Sequence, residues 1–269
     1  RSPLGDPLTD RAAGSPSGST SGQRVALVTG ATSGIGRACA LRLAADGFTV
    51  VVGGRDAARA DEVVAEIESA GGSASTALGD VAEPAYGDTA VAAAVDAHGQ
   101  LDVLVNAAGV ITRAAAEGTT NEEWHRVMST NVDGLFRCSR AALPALRAAG
   151  GGAIVNISST NGLVGGPGLA AYCASKGAVT NLTRAMALDH AHEGIRINAV
   201  CPGAVDTNML YSERDDSAEE VRSMNIPGIP EGRIPGGHEI AHVVAFLADH
   251  RSRHVNGANI SIDGGYTAS

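Results

Sequence analysis

Four consecutive apolar residues, Val25, Ala26, Leu27 and Val28, run straight into the turn Thr29-Gly30-Ala31-Thr32-Ser33-Gly34-Ile35-Gly36, and a helical pattern follows over residues 37–45. A buried strand, a glycine turn and a helix in that order leave few folds open, because the chain must return to its sheet beside a parallel neighbour. The same rhythm continues to the end of the chain. Short β-branched runs alternate with longer amphipathic stretches, the pattern of repeated βαβ units. Seven strands are expected, near residues 25–28, 49–52, 74–78, 101–105, 153–157, 196–200 and 259–262. The stretch 56–70 spaces Ala, Val and Ile among acids at helical intervals and stops at Gly71-Gly72, which reads as a surface helix. The expectation is an α/β fold: a doubly wound parallel sheet with helices on both faces.

A chain of 269 residues with 44% apolar content has enough to cover both faces of such a sheet in one domain, taken as 24–269. Residues 1–23, rich in Ser, Gly, Pro, Asp and Arg, offer almost nothing to bury and read as a flexible arm or a trimmed remnant. Residues 203–237 break the rhythm with Gly, Pro and charges, and a long irregular segment in a regular fold reads as a lid over a substrate. A net charge of −9 without clustered Lys and Arg argues against nucleic acid and anionic membrane as partners. Cys39, Cys138, Cys173 and Cys201 lie far apart with no Cys-x-x-Cys pair, as expected for reduced thiols. With no apolar run long enough for a membrane helix and no leader visible, a cytoplasmic location is expected. The Asn-x-Ser/Thr triplets at Asn156, Asn181 and Asn259 are read as chance.

The glycine turn has a physical reading of its own. Without Cβ atoms, Gly30, Gly34 and Gly36 let the backbone turn tightly and approach a pyrophosphate, whose charge the following helix N-terminus favours. Further along, Tyr172 and Lys176 are four residues apart, and Tyr172 lies thirteen residues after Ser159. On a helix that step puts both side chains on one face, so an ammonium could favour the ionised form of a phenol that titrates at about 10 in water. Such a phenol can exchange a proton near neutrality.

The Gly-x-x-x-Gly-x-Gly turn, Asn106-Ala107-Ala108-Gly109 after the fourth strand, Asn131, Ser159, Tyr172, Lys176 and Pro202-Gly203 occur in this order. Together they resemble the single-domain branch of the short-chain dehydrogenase/reductase family over residues 24–266. The resemblance implies a Rossmann-like seven-stranded sheet and a hydride-transfer enzyme acting on a carbonyl or alcohol. Tyr172 would then be the acid and base, Ser159 the hydrogen-bond donor to the substrate oxygen, Lys176 the holder of the nicotinamide ribose, and Asn131 the anchor of a proton-relaying water. It further implies that Thr32, Ser33 and Ile35 join the glycines around the cofactor, and that Asp80 and Val81 flank the adenine. Asn106, Ala107 and Gly109 would support the cofactor's middle, and Pro202, Gly203, Val205 and Thr207 would close over the nicotinamide. Ser159 rather than Ser158 has the family's distance to Tyr172.

At the end of the second strand, where an NAD enzyme places an acid, the chain has Gly54 followed by Arg55 and Asp56. Arg55 suits a 2′-phosphate, so NADP(H) is favoured over NAD(H). Met209, Tyr211 and residues 212–229 are expected as substrate-side walls. Family members are commonly homotetramers, with interfaces on the helical stretches 122–149 and 169–190 and at the C-terminal tail. Two alternatives remain open: a 3-oxoacyl-carrier-protein reductase, which would need a basic entrance not evident here, and a cofactor-sensing protein without chemistry. His238-Glu239-Ile240-Ala241-His242 fits a zinc-hydrolase pattern, but no third ligand is evident and no metal is expected. Cys173 is read as packing.

Overall fold

Along the first strand Ala26 and Val28 belong to one buried cluster, and Val25 and Leu27 to another. A strand whose two faces are both apolar has to sit inside a sheet covered on both sides. The computed structural model describes residues 23–268. Its strands are β1 (Val25–Thr29), β2 (Thr49–Gly54), β3 (Ser73–Leu78), β4 (Val103–Asn106), β5 (Gly152–Ile157), β6 (Ile195–Pro202) and β7 (Asn259–Ile262). They form one seven-stranded sheet in the order β3-β2-β1-β4-β5-β6-β7, with every pairing parallel. All seven sequence-expected strands are present.

The helices are α1 (Gly34–Ala45), α2 (Ala57–Ser69), α3 (Tyr86–His98), α4 (Asn121–Met128), α5 (Leu135–Ala148), α6 (Ala170–His190), α7 (Asn208–Tyr211), α8 (Ala218–Asn225) and α9 (Gly237–Ala248). Cys39 and Leu43 of α1, Val63 and Ile67 of α2, and Ile240 and Val244 of α9 pack with Ala26 and Val28 on one face. On the other face, Ala94 of α3, Leu146 of α5 and Met186 of α6 pack with Val25, Leu27 and Leu104. The winding reverses between β1 and β4, which are neighbours although β2 and β3 separate them in sequence. In open parallel sheets the crevice at such a reversal, outside the carboxyl ends of the strands, is where ligands bind.

Local chemistry sets the helix ends. Asp56 accepts a hydrogen bond from the Arg59 amide at the start of α2, and Thr120 and Glu123 form a reciprocal capping box at the start of α4. Residues 203–237, expected to be irregular, contain α7 and α8, the latter capped by Ser217 and Glu220. The helices there span only four and eight residues, too short to stand out among the surrounding Gly, Pro and charges. Gln23, assigned by sequence to the arm, touches the fold: its side chain donates to the Gly47 carbonyl and its own carbonyl accepts from Gln100. The rest of that arm lies outside the described residues. Among the described residues no helix is long and apolar enough to cross a membrane, and all four cysteines are free.

Under the carboxyl edge lies a buried polar relay. Asn106 donates from Nδ2 to Ser139 Oγ and to Asn156 Oδ1, each at 2.9 Å, and Asn156 donates to Thr183 Oγ1 at 2.9 Å. This joins β4, β5, α5 and α6 through side chains. Asn106, expected to support the cofactor's middle, is 2% exposed and is not in the lining of the cleft at this edge, both Nδ2 hydrogens being bonded inside the protein. Asn106→Ala leaves Ser139 and Asn156 without this donor, so urea denaturation is expected to show a loss of about 1–3 kcal/mol. A cofactor titration of the same variant is expected to show no matching loss of affinity; the reverse pattern would return Asn106 to the binding surface.

Candidate active site

The glycine turn is shaped by close approach. Gly30 has φ +66°, and a Cβ there would lie 2.7 Å from the backbone N and Cα of Ala108. A Cβ on Gly36 would run into the carbonyl oxygen of Gly30. The turn after β1 therefore packs backbone to backbone against the turn after β4. Thr29 strengthens the junction, because its Oγ1 accepts from the amides of Ala107 (3.2 Å) and Ala108 (3.4 Å). Ser33 is the N-cap of α1 and makes no side-chain capping bond, so the first-turn amides of that helix remain available to an anion. Thr207 sits over this end, 3.4 Å from where a Gly34 Cβ would be.

One cleft of about 700 Å³ joins these parts. Gly30, Thr32, Ser33, Gly34, Ile35 and Gly36 line its wall at the α1 end, with Ala107 and Gly109 opposite and Pro202, Gly203, Val205 and Thr207 above. Arg55, Asp80 and Val81 also line it, beside the end of β2, where Gly54 adjoins Thr32. There Arg55 Nη1 donates to Asp80 Oδ2 at 3.1 Å while its side chain stays 71% exposed. Asp80 in turn accepts from the Ala82 amide. Gly54 is crowded, because a Cβ there would be 2.5 Å from the methyl group of Thr32. Open helix amides and a guanidinium next to Gly54, which adjoins the same turn, fit the phosphates of a dinucleotide.

The opposite half of the cleft is built by the end of β5 and by α6. Ser158 donates to the Lys176 carbonyl at 3.0 Å, which ties its hydroxyl to the helix. Ser159, by contrast, accepts from the Asn161 amide at 3.1 Å and stands beside Tyr172. Tyr172 and Lys176 share one face of α6 and are 7% and 4% exposed. The Lys176 Nζ donates to the Ile157 carbonyl at 2.8 Å and lies 5.7 Å from the centre of the Tyr172 ring.

The electrostatics depart from the sequence expectation of a lysine-lowered phenol. Burial pushes the Tyr172 phenol up to about 12, with Ser159 and then Arg113 pulling it partly back. Burial also pushes Lys176 down to about 8. Desolvation is the largest cause for both groups, because burial penalises each charged form.

Asn131 lies in a π-helical segment, Ser129–Gly134, that joins α4 to α5. Its Oδ1 accepts from the Val110 amide, and its Nδ2 donates to the Val110 carbonyl and to Ser175 Oγ. Both amide hydrogens are thus used. The side chain holds the Gly109-Val110 backbone in place, and a relay water of the kind expected would have to donate to an oxygen of Asn131. A π-bulge is a recurrent device for aiming such a residue.

On the substrate side Met209, Leu210, Arg214, Asn225 and Ile229 line the cleft. Tyr211, expected in that wall, is not among them: its hydroxyl donates to Asp206 and accepts from Arg222. Cys173 also lies off the cleft, its Sγ 3.9 Å from the Gly166 carbonyl. Of the two lining cations there, Arg214 falls within the expected wall of residues 212–229, whereas Arg113 escaped sequence reading. Arg113 is a single basic residue in a loop, and nothing in the local pattern marks it. In the His-x-x-x-His stretch, Arg42 stands against His242 and Arg233 pairs with Glu239. No group of three metal-ligating side chains occurs among the described residues.

A family model described as short chain dehydrogenase matches residues 24–218. The meso-2,3-butanediol dehydrogenase of Serratia marcescens is 41% identical over 91% of this chain and 95% of its own length. The cyclohexanol dehydrogenase of an Acinetobacter species is 40% identical, with the same two coverages. Among solved structures, a single-residue variant of the actinorhodin polyketide ketoreductase with NADPH superposes with a TM-score of 0.87 at 37% identity, covering 92% of this chain and 98% of that one.

Proposed function

The chain belongs to the short-chain dehydrogenase/reductase family, and on that premise we propose that Tyr172 is the proton donor and acceptor of an NADP(H)-dependent carbonyl reductase. The protein is an oxidoreductase that interconverts alcohols and ketones with a nicotinamide cofactor. The observation that carries the residue assignment is convergence: Ser159, Tyr172 and Lys176, from β5 and α6, meet in the cleft that also holds the glycine turn.

When bound, the nicotinamide supplies or takes up the hydride. The first-turn amides of α1 at Gly34 and Ile35 would hold the pyrophosphate, and Thr207 would cover it. In reduction, the Tyr172 hydroxyl gives its proton to the substrate oxygen while Ser159 Oγ hydrogen-bonds the same oxygen as charge develops there. Oxidation runs the proton the other way. With its phenol pushed up to about 12, Tyr172 carries its proton at neutral pH, the form reduction requires. The Lys176 ammonium, 5.7 Å from the ring centre, favours the negative charge that appears on the phenol as its proton leaves.

The preference for NADP(H) rests on the end of β2. An acid in place of Gly54 would meet the Thr32 methyl, and the guanidinium of Arg55, exposed and paired through Nη1 with Asp80, has further N–H groups to offer a 2′-phosphate. We also infer a homotetramer, supported by the exposed Trp124 and Phe136 on the α4 and α5 rod, an apolar surface that association would cover.

Tyr172→Phe is expected to fold, bind cofactor and lose about 10²–10⁴-fold in kcat; a variant within tenfold of wild type removes the proton role. The same assay across pH is expected to hold its reductive kcat/KM up to about 8, where Lys176 loses its proton, and to fall above it. Alcohol oxidation, which needs the phenolate, is expected to rise with pH over that range. Arg55→Ala is expected to weaken NADPH far more than NADH, read from the two kcat/KM values; equal losses remove Arg55 from cofactor choice. Small-angle scattering at micromolar concentration is expected to give four copies, and a monomer contradicts the assembly.

A further inference from the structure

Beyond Tyr172 the cleft is mostly apolar, with Ile111, Leu169, Met209 and Ile229 in its wall, yet two guanidinium groups enter it, Arg113 and Arg214. Arg113 is half-buried, and its hydrogen-bond partners are backbone carbonyls. Nε donates to Ser212 O at 3.1 Å, and Nη2 donates to Met209 O at 3.2 Å and Leu210 O at 3.1 Å. These bonds fix the side chain at the carboxyl end of α7 without neutralising its charge. The Nε of Arg214 is buried with no hydrogen-bond partner among the described residues. A buried guanidinium N–H without an acceptor is costly, and a bound acceptor is one way to satisfy it.

The adjacent acid does not fill this need. Glu213 Oε1 accepts from Arg126 Nη2 at 2.9 Å, so its carboxylate is committed to another cation. Glu213 is also the one described non-glycine residue with positive φ, at 54°. That is an uncommon backbone state for such a residue, of the kind that persists where the surroundings enforce it. Glu213 is thereby engaged with Arg126 while Arg214, next in the chain, lines the cleft. Burial and then the charge of Arg214 lower the basicity of Arg113, so the two cations feel each other. Arg113 acts in turn on the Tyr172 phenol, which places this charge beside the proton donor. Asp263 also lines the cleft, but its carboxylate accepts from Gly265 and Thr267, so in a chain of net charge −9 the two guanidinium groups are the cations left to meet an anion on this side.

We propose that the substrate carries an anionic head group, a carboxylate or sulfonate set apart from the reacting carbon by an apolar spacer, and that Arg113 and Arg214 bind it. This rests on the reductase reading above and narrows it to keto acids and hydroxy acids or their sulfonate counterparts. The apolar wall takes the spacer, the arginines take the oxyanion through charge-assisted hydrogen bonds, and Tyr172 and Ser159 face the carbonyl.

The test compares kcat/KM for keto acids of increasing chain length, their methyl esters and the matching keto sulfonates. At the best length the acid or the sulfonate is expected to exceed the ester by about tenfold or more, mainly through KM, the scale of a hydrogen bond to a charged group. Arg214→Gln is expected to collapse that ratio and Arg214→Lys to retain part of it. Preference between carboxylate and sulfonate separates the two head groups. Esters equal to or better than both anions at every length overturn the proposal, as does a ratio unchanged in Arg214→Gln. If wild type reduces no carbonyl compound, the reductase reading fails, and the anion site is judged by calorimetric titration of the keto carboxylates and sulfonates into the whole protein. Binding that Arg214→Gln abolishes supports the site, and no binding to wild type overturns it.

Discussion

The ammonium of Lys176, buried and held 2.8 Å from the Ile157 carbonyl, ties α6 to the carboxyl edge of β5. Ser158 makes the reciprocal bond, its hydroxyl donating to the Lys176 carbonyl. Two hydrogen bonds in opposite directions between one residue of the helix and the strand end leave α6 little freedom to slide or turn. The position of Tyr172, one helical turn earlier, follows from that clamp. Ser159 is the first residue past the bonded pair and so emerges on the cleft side. Hydrogen bonds of this kind preorganise the proposed site, which is what stabilising a developing charge would require.

The clamp also explains why both ionisable groups depart from their ordinary behaviour. Close packing that fixes their geometry removes their water, and desolvation drives the phenol up and the ammonium down. Four-residue spacing predicted that Tyr172 and Lys176 would share a face, and they do. The same spacing suggested that the lysine would dominate the phenol, and this failed because periodicity carries no information about burial depth. The bonding partners of Asn131 and Asn106 were illegible for a related reason. Sequence showed polar residues at the right places, but which atoms would be consumed by Val110, Ser175, Ser139 and Asn156 depends on contacts spanning 21 to 50 positions of the chain.

The parts that were legible are those in which local and global demands coincide. The strand, the glycine turn and the helix from Val25 to Ala45 are adjacent in sequence, and their close packing forbids side chains at Gly30 and Gly36, so the constraint is written as glycine. The β-branched runs are likewise visible because both faces of the sheet are buried. The substrate side is the opposite case. α7 has only four residues, and what makes its carbonyls matter is Arg113, which reaches them from about a hundred positions away. No window of sequence contains both.

An anion bound at the two arginines would do more than select a substrate. In the free protein the positive charge of Arg113 favours ionisation of Tyr172, working with Ser159 and against burial. A carboxylate on Arg113 offsets that charge, so the phenol holds its proton more firmly while the substrate is bound. This suits reduction, in which the proton must remain on the oxygen until negative charge develops on the carbonyl. It suits oxidation less, because the phenol must then accept a proton. Under that proposal the arginines, the buried phenol and the desolvated lysine would act as one electrostatic unit, in which the head group of the substrate would favour the protonated phenol that carbonyl reduction uses.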